Sequence, residues 1–564
     1  MTERPGAEVD EFAATSADLA ADPAASWDDA PEPAVQASGG TTPVPAARSI
    51  RRFTAAVARS RSGAGLGEVL GDVYYAVLVT AVGVGVALGV AGQMRAALPH
   101  VPDQALPTGI SLPTVVAVFA VVIAGTVLSV GARLGPVGAG GAEATWWLGT
   151  PVDRRGLLRP ASLRLPVVAG VVGGLVVALL DGGLLADHGI GHVLRLGATA
   201  GLVCAALVLL AGHLQARGVA RRTTAGAGDA VIAVAPVLAL GAAFAGWRLS
   251  ALPDVPVWAL AALAVAVGGL GWWLDTRLGR IRGRDLRESG SVATQAAGAV
   301  ASLDSRELGR ALMDSAARPR RRRVRRMRLV RGPVTAVVVA DLTALLRSPR
   351  HLVQLVVSAL VPVVVVITPQ LAGVLGVVLA VLISGYVAML ATSEGARRAE
   401  MSPVVDRLLP LSAQQVRRTR LIVPAAAMLL WSVVAFAAIG RWEGDVLPWL
   451  LLGVASSPVW AAAAVRAAYR PAPNWEGPLI ATPAGALPGG VAAVLSRGPD
   501  VAVLGMVPVI ISVVLGSVVP TVLVVQVAVA AIALAVGAST STKTMMDRLS
   551  EASESAEADK RRRA

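Results

Sequence analysis

The chain has 564 residues, of which 55% are hydrophobic and only 16% are charged. Because a soluble protein of this length carries about a quarter charged residues, the composition excludes an ordinary water-soluble protein and predicts a membrane protein. The net charge of +14 does not indicate nucleic-acid binding, and no nucleic-acid partner is expected, because arginine gathers on the cytoplasmic side of polytopic membrane proteins.

Residues 1–47 are acidic and rich in alanine, proline and serine, which is typical of a disordered cytoplasmic tail. Residues 48–274 and 335–538 each carry six apolar runs, and a run of about 20 apolar residues can cross the hydrocarbon layer as a helix. We therefore predict an all-α polytopic membrane protein with about 12 transmembrane helices. Residues 275–334 are predicted to form an Arg-rich cytoplasmic linker, and residues 539–564 a cytoplasmic C-terminal tail.

The apolar runs locate the predicted spans to within a few residues. In the first half the runs are Tyr74–Gly92, Ile110–Val130, Leu165–Leu180, Gly197–Leu214, Ala230–Ala245 and Val255–Leu274. In the second half they are His351–Thr368, Leu371–Ala391, Leu421–Gly440, Leu447–Val465, Val501–Val519 and Thr521–Ala538. An even number of crossings places both termini on the same side of the membrane.

The distribution of arginine predicts the orientation. Only four basic residues fall in loops on the side opposite to the tails, namely Arg95, Arg195, Arg248 and Arg441. The other basic residues fall in the tails or in loops on the same side as the tails. By the positive-inside rule, we predict a multi-pass protein of the cell (plasma) membrane with cytoplasmic N and C termini.

A short charged stretch recurs between the second and third runs of both halves. It reads TPVDRRGLLRP at Thr150–Pro160 and LPLSAQQVRRTR at Leu409–Arg420, with Pro410 standing 259 residues after Pro151. The same offset superposes other spans of the two halves. A period of this length indicates duplication of a six-helix unit, and the even number of crossings makes the two units parallel repeats.

Each half also begins with a basic, partly amphipathic stretch, Arg48–Val73 in the first and Thr335–Arg350 in the second. Four apolar side chains of the second stretch can share one face of a helix, namely Val338, Leu342, Leu345 and Leu346. Asp341 and Arg347 are expected to face water, so that this helix lies in the cytoplasmic interface. The basic segment Arg318–Arg328 of the linker is expected to anchor the inner face and to contact anionic lipid headgroups.

Few ionisable residues fall within the predicted spans, which argues against a proton-coupled carrier. The chain has no phosphate-binding loop, because STKT at Ser541–Thr544 lacks the glycine before the lysine. We therefore expect no catalytic residue, cofactor or metal in this chain, and no enzyme. His188 and His192 lie beside acidic residues in a predicted outer loop, which we interpret as solvated rather than metal-binding. Gly170 and Gly174 have the spacing of closely packed membrane helices.

Three stretches carry a resemblance to a known family. They are LLPLSAQQVRRTRL at Leu408–Leu421, its weaker counterpart WWLGTPVDRRGLLRP at Trp146–Pro160, and LTALLRSPRHLVQLVV at Leu342–Val357. Each half resembles the membrane (permease) subunit of an ABC-2-type exporter, and the whole chain also resembles an uncharacterised actinobacterial family of polytopic membrane proteins. In ABC-2-type subunits an amphipathic connecting helix precedes six spans, and a cytosolic coupling segment lies between the second and third spans.

The resemblance implies the membrane-spanning permease component of an ATP-driven exporter, which couples to separately encoded P-loop ATPase subunits on its cytoplasmic face. The residues implied in this coupling are Asp153, Arg154, Arg155, Arg159, Glu394, Arg397, Arg398, Glu400, Asp406 and Arg407. The loop Ala467–Pro499 has no counterpart in the first half and is either an extra docking surface or an ordinary Pro/Gly-rich loop. Two alternatives stay open, an ion-coupled or facilitative secondary transporter and a non-transporting membrane scaffold.

Overall fold

The computed structural model describes residues 46–62, 109–149, 153–185, 189–301, 330–401, 403–469, 479–482, 485–488 and 498–539, with isolated positions between 70 and 93 and between 309 and 312. Nearly all of these residues are helical. The helices that precede the middle of the chain are α1 (Ala47–Ser62), α2 (Leu112–Leu134), α3 (Gly141–Trp146), α4 (Arg154–Leu184), α5 (Ile190–Ala216), α6 (Arg221–Phe244), α7 (Val257–Arg277) and α8 (Gly283–Ala301). Those that follow are α9 (Pro333–Leu346), α10 (Pro349–Val366), α11 (Val374–Thr392), α12 (Glu394–Met401), α13 (Pro403–Arg407), α14 (Ala413–Arg420), α15 (Ile422–Glu443), α16 (Val446–Ala468), α17 (Pro499–Gly505), α18 (Val507–Leu515) and α19 (Pro520–Ser539).

Ten helical segments in the described part of the chain are long and apolar enough to cross a membrane. They are α2, α4, α5, α6, α7 with the short 3₁₀ turn that follows it, α10, α11, α14 together with α15, α16, and α19. Many of their apolar side chains are exposed. On α7, for example, only 6% of the residues in the most apolar part of the helix are buried inside the protein. The chain is therefore a helical, multi-pass membrane protein whose lipid-facing surface is apolar.

One predicted span within the described residues does not form such a helix. The run Val501–Val519 gives the shorter helices α17 and α18, which are separated at Met506. Pro508 stands in the first turn of α18 and has no N–H with which to continue the ladder from α17, so the helix breaks there. The run Tyr74–Gly92 is described only at isolated positions.

Glycines bring α4 and α5 into close contact. A Cβ atom on Gly174 would lie 2.7 Å from the backbone oxygen of Gly197, and one on Gly201 would lie 2.7 Å from that of Gly170. Only glycine leaves room for two helix backbones at this separation. The prediction that Gly170 and Gly174 serve close helix packing is confirmed.

The best-packed core lies in the second half, between α11, α15 and α16. Its largest side chains are fully buried, namely Met428, Trp431, Phe436, Trp449 and Trp460. The indoles of Trp431 and Trp460 meet edge to face, with 6.1 Å between ring centroids. Aromatic side chains of this size bury about 150–250 Å² each, so they fix the relative positions of these helices.

The two halves contact each other along α6 and α10. At one end of this contact, the backbone N–H of Ile110 donates to the oxygen of Ile367 at 3.0 Å. Nearer the other end, Arg133 at the end of α2 pairs with Asp229 on α6 at 2.6 Å. The ion pair between Arg133 and Asp229 thus stabilises the first half where it contacts the second.

The start of the predicted linker is packed rather than free. The backbone N–H of Ala139 donates to the oxygen of Leu286 on α8 at 3.0 Å. The buried side-chain amide of Gln215 accepts from the N–H of Val137 and donates to its oxygen, at 3.2 and 2.9 Å. These bonds hold the extended residues 135–140 between α5 and α8. The basic segment Arg318–Arg328 lies outside the described residues.

The remaining predicted segments are described only in part. The loop Ala467–Pro499 contains two short antiparallel strands, β1 (Leu479–Thr482) and β2 (Gly485–Pro488), so it is not wholly irregular. Leu479 stands opposite Pro488, and Thr482 opposite Gly485. Residues 1–45 of the N-terminal tail and 540–564 of the C-terminal tail lie outside the described residues.

Candidate coupling site

A buried ion-pair cluster joins several short helices at the second charged stretch. Arg420 ends α14, and its side chain is only 9% exposed. It donates from Nη1 to Asp341 Oδ1 on α9 and from Nη2 to Asp406 Oδ1 on α13, both at 2.7 Å. Nη1 also lies 3.3 Å from the backbone oxygen of Gly395 on α12. One guanidinium therefore ties three other helices to α14.

The expectation that Asp341 faces water is wrong. Leu342 and Leu346, on the face predicted to lie in the membrane interface, are exposed on the surface of the protein. The residues that are buried are Val337, Asp341 and Leu345. Burial raises the pKa of Asp341 above its ordinary value, although the neighbouring Arg420 acts in the opposite direction. A buried carboxylate needs such a partner, because its charge is costly to remove from water.

Tyr469 completes the cluster, immediately after the end of α16. Its side chain is buried, and the guanidinium carbon of Arg417 lies 5.4 Å from the centre of its ring. Burial raises the pKa of Tyr469 to about 12. The phenol is therefore neutral at physiological pH and packs as an apolar ring against the charged cluster.

The other implied residues of the second stretch are also engaged with their own half. Arg398 donates from Nε to Glu394 Oε1 at 2.8 Å, and the Glu394 side chain is 9% exposed. Arg397 donates from Nη2 to the backbone oxygen of Leu390 on α11 at 2.6 Å. The last two implied residues are half-buried Glu400 and exposed Arg407. Most of this stretch is thus held in place, and Arg407 points outward.

In the first half, two arginines share one carboxylate. Arg155 donates from Nε and Nη2 to Asp275 Oδ2, at 3.1 and 2.6 Å. Arg159 lies 2.9 Å from Oδ1 through Nε and 3.0 Å from Oδ2 through Nη2. These contacts tie the start of α4 to the end of α7. Asp275 could not be recognised as the partner from the sequence, because it follows 120 residues after Arg155.

The first charged stretch is largely helical rather than a loop. Helix α4 begins at Arg154 and continues through Pro160 and Pro166 into the apolar run. Arg154 donates to the backbone oxygen of Leu148 at 3.2 Å, and Asp153 stands exposed at the N-cap. The first stretch is thus the exposed first turns of a long helix, whereas the segment Glu394–Arg420, which ends with the second stretch, contains the three short helices α12, α13 and α14.

Three apolar side chains stand exposed just before the second stretch. Met401, Val404 and Leu408 are 51%, 63% and 80% exposed. Their sequence spacing is i, i+3, i+7, although Met401 ends α12, Val404 lies on α13 and Leu408 follows α13, and exposed Arg398 and Arg407 flank them. We call Met401, Val404 and Leu408 the coupling patch. Sequence reasoning missed it, although the spacing of apolar residues in a polar segment was visible.

Helices α4, α5 and α6 each hold an ionisable side chain that is buried or paired. Asp181 lies within α4, just beyond the predicted span Leu165–Leu180, and is fully buried. Asp229 lies within α6 and is neutralised by Arg133 at 2.6 Å. His213 lies buried within α5, where Nε2 is 3.0 Å from the backbone oxygen of Leu270. Asp181 and Asp229 fall within the helices because these are longer than the predicted spans, whereas His213 already lies within the predicted span Gly197–Leu214.

His192 is part of the first turn of α5 rather than of a solvated loop. Its Nε2 is 3.6 Å from Asp181 Oδ2, and its Nδ1 is 3.5 Å from Asp254 Oδ1. Asp254 also accepts from Arg195 at 2.6 Å, and this bond lowers its pKa. His188 lies outside the described residues. The end of the first half opposite to the charged stretches therefore carries a second group of ionisable side chains.

One family model matches residues 109–478, about two thirds of the chain. The chain belongs to DUF6297, a family of unknown function. The match begins just before α2 and ends just before β1, so it includes Arg420, Asp275 and the coupling patch. No curated protein and no solved structure matches the chain.

Proposed function

We propose that the chain is the membrane-spanning permease component of an ATP-driven exporter of the ABC type. It has twelve spans in two parallel six-helix halves, and its charged stretches face the cytosol. ATP hydrolysis takes place in separate P-loop ATPase chains, and this chain holds no cofactor of its own. Its mostly apolar spans favour a hydrophobic substrate such as a lipid or a hydrophobic peptide.

Two features of the helices support the repeat. Helix α4 begins at Arg154 and ends at Leu184, whereas α14 begins at Ala413 and α15 ends at Glu443, which is 259 residues later at both ends. In both halves the third predicted span packs along the fourth, and the fourth along the sixth. An equal offset at both ends is expected of a duplicated unit and has no other simple cause.

The observation that carries the proposal is the coupling patch together with its anchoring. An exposed apolar face outside the predicted spans is a typical protein-docking surface when charged residues surround it. Leu408, Val404 and Met401 supply the apolar contact, and Arg407 supplies charge at the rim. The coupling patch is thus suited to bind a soluble partner.

The ion pairs supply the route from the docking surface to the membrane helices. Asp406 lies beside the coupling patch and is held by Arg420, which is joined through Leu421 to α15. A displacement of α13 is therefore transmitted through Arg420 to α15, and from Arg420 through Asp341 to α9. In the first half, the shared contact of Arg155 and Arg159 with Asp275 makes α4 and α7 move together.

The experiment is co-purification from native membranes followed by measurement of ATP hydrolysis. The unaltered chain is expected to retain a P-loop ATPase and to stimulate its hydrolysis. Leu408→Glu places a charge on the most exposed member of the coupling patch and is expected to abolish both. Val300→Glu is the matched control, because Val300 on α8 is also exposed, at 58%, and is also predicted to be cytoplasmic.

Two results would contradict the proposal. One is that no P-loop ATPase is retained although it is present in the same membranes. The other is that Leu408→Glu and Val300→Glu reduce retention equally. A charge reversal at Arg407, which is exposed, should weaken retention without changing the fold.

A secondary transporter is the second candidate, and Asp181 favours it. A fully buried carboxylate within a span, with an imidazole 3.6 Å away, is the kind of group that carriers use to couple an ion. Transport by the purified chain in liposomes under an ion gradient, lost in Asp181→Asn, would support this candidate. Absence of such transport, with ATP-dependent transport after addition of an ATPase, would support the exporter.

A further inference from the structure

A long groove runs along the first half, between α4, α5 and α7. Its volume is about 1100 Å³, at the upper end of the size of ligand pockets. Along α4 it extends from Arg159 to Ala178, which corresponds to about 28 Å at the rise of an α-helix. This length is close to the hydrocarbon thickness of a bilayer, about 30 Å. The groove is therefore more than long enough for the acyl chains of one lipid, which reach about half of this thickness from its end.

The lining of the groove is divided between a polar end and an apolar remainder. Its polar side chains, Arg159, Ser162 and Asp275, together with the indole of Trp272, all lie at the start of α4 and the end of α7. The rest of the lining consists of glycine, alanine, valine, leucine and proline. The arginine distribution predicts that the polar end is cytoplasmic. The groove thus has the polarity of one phospholipid molecule.

The polar end carries excess positive charge. Arg155 and Arg159 share the single carboxylate of Asp275, so one positive charge is left without a counter-charge in this group. The side chains of the two arginines remain 49% and 61% exposed. A guanidinium has five N–H donors, and these two use only some of them on Asp275. The mouth of the groove can therefore bind an anionic headgroup.

A similar groove lies in the second half. It has a volume of about 790 Å³ and lies between α14, α15 and α19. Its arginine is Arg418, which is exposed and stands 259 residues after Arg159. The polar residues Gln414 and Ser539 lie at the same end as Arg418, and the remainder of the lining is apolar. Because a groove with an arginine at its polar end recurs 259 residues later, we interpret the groove as a property shared by the two halves rather than as a packing defect.

We propose that the groove between α4, α5 and α7 is a binding site for an anionic phospholipid of the cytoplasmic leaflet. The acyl chains lie along the apolar lining, and the headgroup phosphate contacts Arg159, while Arg155 on the same carboxylate adds positive charge beside the mouth of the groove. Basic pockets between membrane helices on the cytoplasmic side are suited to anionic headgroups. The proposal does not depend on the exporter function.

The experiment uses the full chain in neutral bilayers with two photoactivatable lipids. Phosphatidylglycerol and phosphatidylcholine carry the same diazirine-bearing acyl chain, and labelled peptides are identified by mass spectrometry. Phosphatidylglycerol is expected to label α4, α5 and α7 preferentially. Arg159→Gln should reduce this preference by about fivefold, and Arg164→Gln, an exposed arginine of α4 that does not line the groove, should not. Arg155 still holds Asp275 at 2.6 Å, so Arg159→Gln is expected to fold.

A second pair of variants tests the apolar part of the groove. Gly268→Phe fills the groove and should reduce labelling by both lipids, whereas the adjacent Gly269→Phe should not, because Gly269 does not line the groove. Neither glycine has a heavy atom within 4 Å of a built Cβ, so both variants have room for the side chain. Equal labelling by the two lipids, or no difference within either pair of variants, would overturn the proposal.

Discussion

Arg420→Met is expected to be among the most damaging substitutions outside the apolar core. It removes the guanidinium that contacts Asp341 and Asp406 at 2.7 Å each. The Asp341 side chain is 8% exposed and cannot regain water, whereas that of Asp406 is 19% exposed and can do so more easily. Removing one member of a buried ion pair costs about 3–5 kcal/mol, so we expect a loss of this size in the free energy of unfolding.

The dependence of this loss on pH follows from Asp341. Burial already raises the pKa of Asp341, and loss of Arg420 raises it further. A carboxyl with a raised folded-state pKa favours the folded state when it is protonated, and this contribution is lost as the pH rises through that pKa. The variant should therefore be less damaged at acidic pH than at neutral pH.

The assay is reversible unfolding in mixed micelles of a mild detergent and dodecyl sulfate, followed by the fluorescence of the buried tryptophans. Arg407→Met is the control, because Arg407 is exposed and should cost less than about 0.5 kcal/mol. Asp341→Asn combined with Arg420→Met should recover a large part of the loss, because no unpaired carboxylate remains. A cost for Arg420→Met equal to that for Arg407→Met would refute the reasoning.

Three further predictions follow from the packing and the charges. Tyr469→Phe should remove a tyrosinate absorbance step near pH 12; because burial raises the pKa of Tyr469 to about 12, ionisation costs the fold about 2–3 kcal/mol, so the stability of the unaltered chain should fall between pH 10 and 12 by this amount and that of the variant should not. Gly174→Leu should force α4 from α5 and cost about 1–3 kcal/mol or more in the same unfolding assay, whereas Gly241→Leu, with open space around its Cβ position, should be near neutral. Asp275→Asn should cost only about 1 kcal/mol, and less in high salt, because both of its arginine partners are about half exposed.

The membrane helices were largely predictable from the sequence. A span must be apolar over a length set by the bilayer, and a run of consecutive residues is enough to show whether this requirement is met. Arg154 at the start of α4 and Ala413 at the start of α14 are separated by the same 259 residues as Pro151 and Pro410 of the charged stretches. Pro508 could have predicted the helix break within the run Val501–Val519, but this run was predicted as a single span.

The partners of the buried charges could not be predicted in the same way. Asp341 and Arg420 are 79 residues apart, and Arg155 and Asp275 are 120 apart, so no local pattern joins them. Asp341 was assigned to water because an isolated carboxylate on an amphipathic helix usually faces water. Its burial depends on a counter-charge supplied by a different helix, which only the folded arrangement provides.

The most direct measurement of the central claim is site-specific cross-linking from the coupling patch. Cys204 is buried, so a cysteine introduced by Leu408→Cys is the reactive thiol among the described residues. In native membranes, this thiol is predicted to cross-link to a P-loop ATPase and to react with a membrane-impermeant reagent only from the cytoplasmic side. Val300→Cys should show the same sidedness without the ATPase cross-link. Labelling of Leu408→Cys from outside the cell, or no ATPase cross-link when the ATPase is present, would contradict the account.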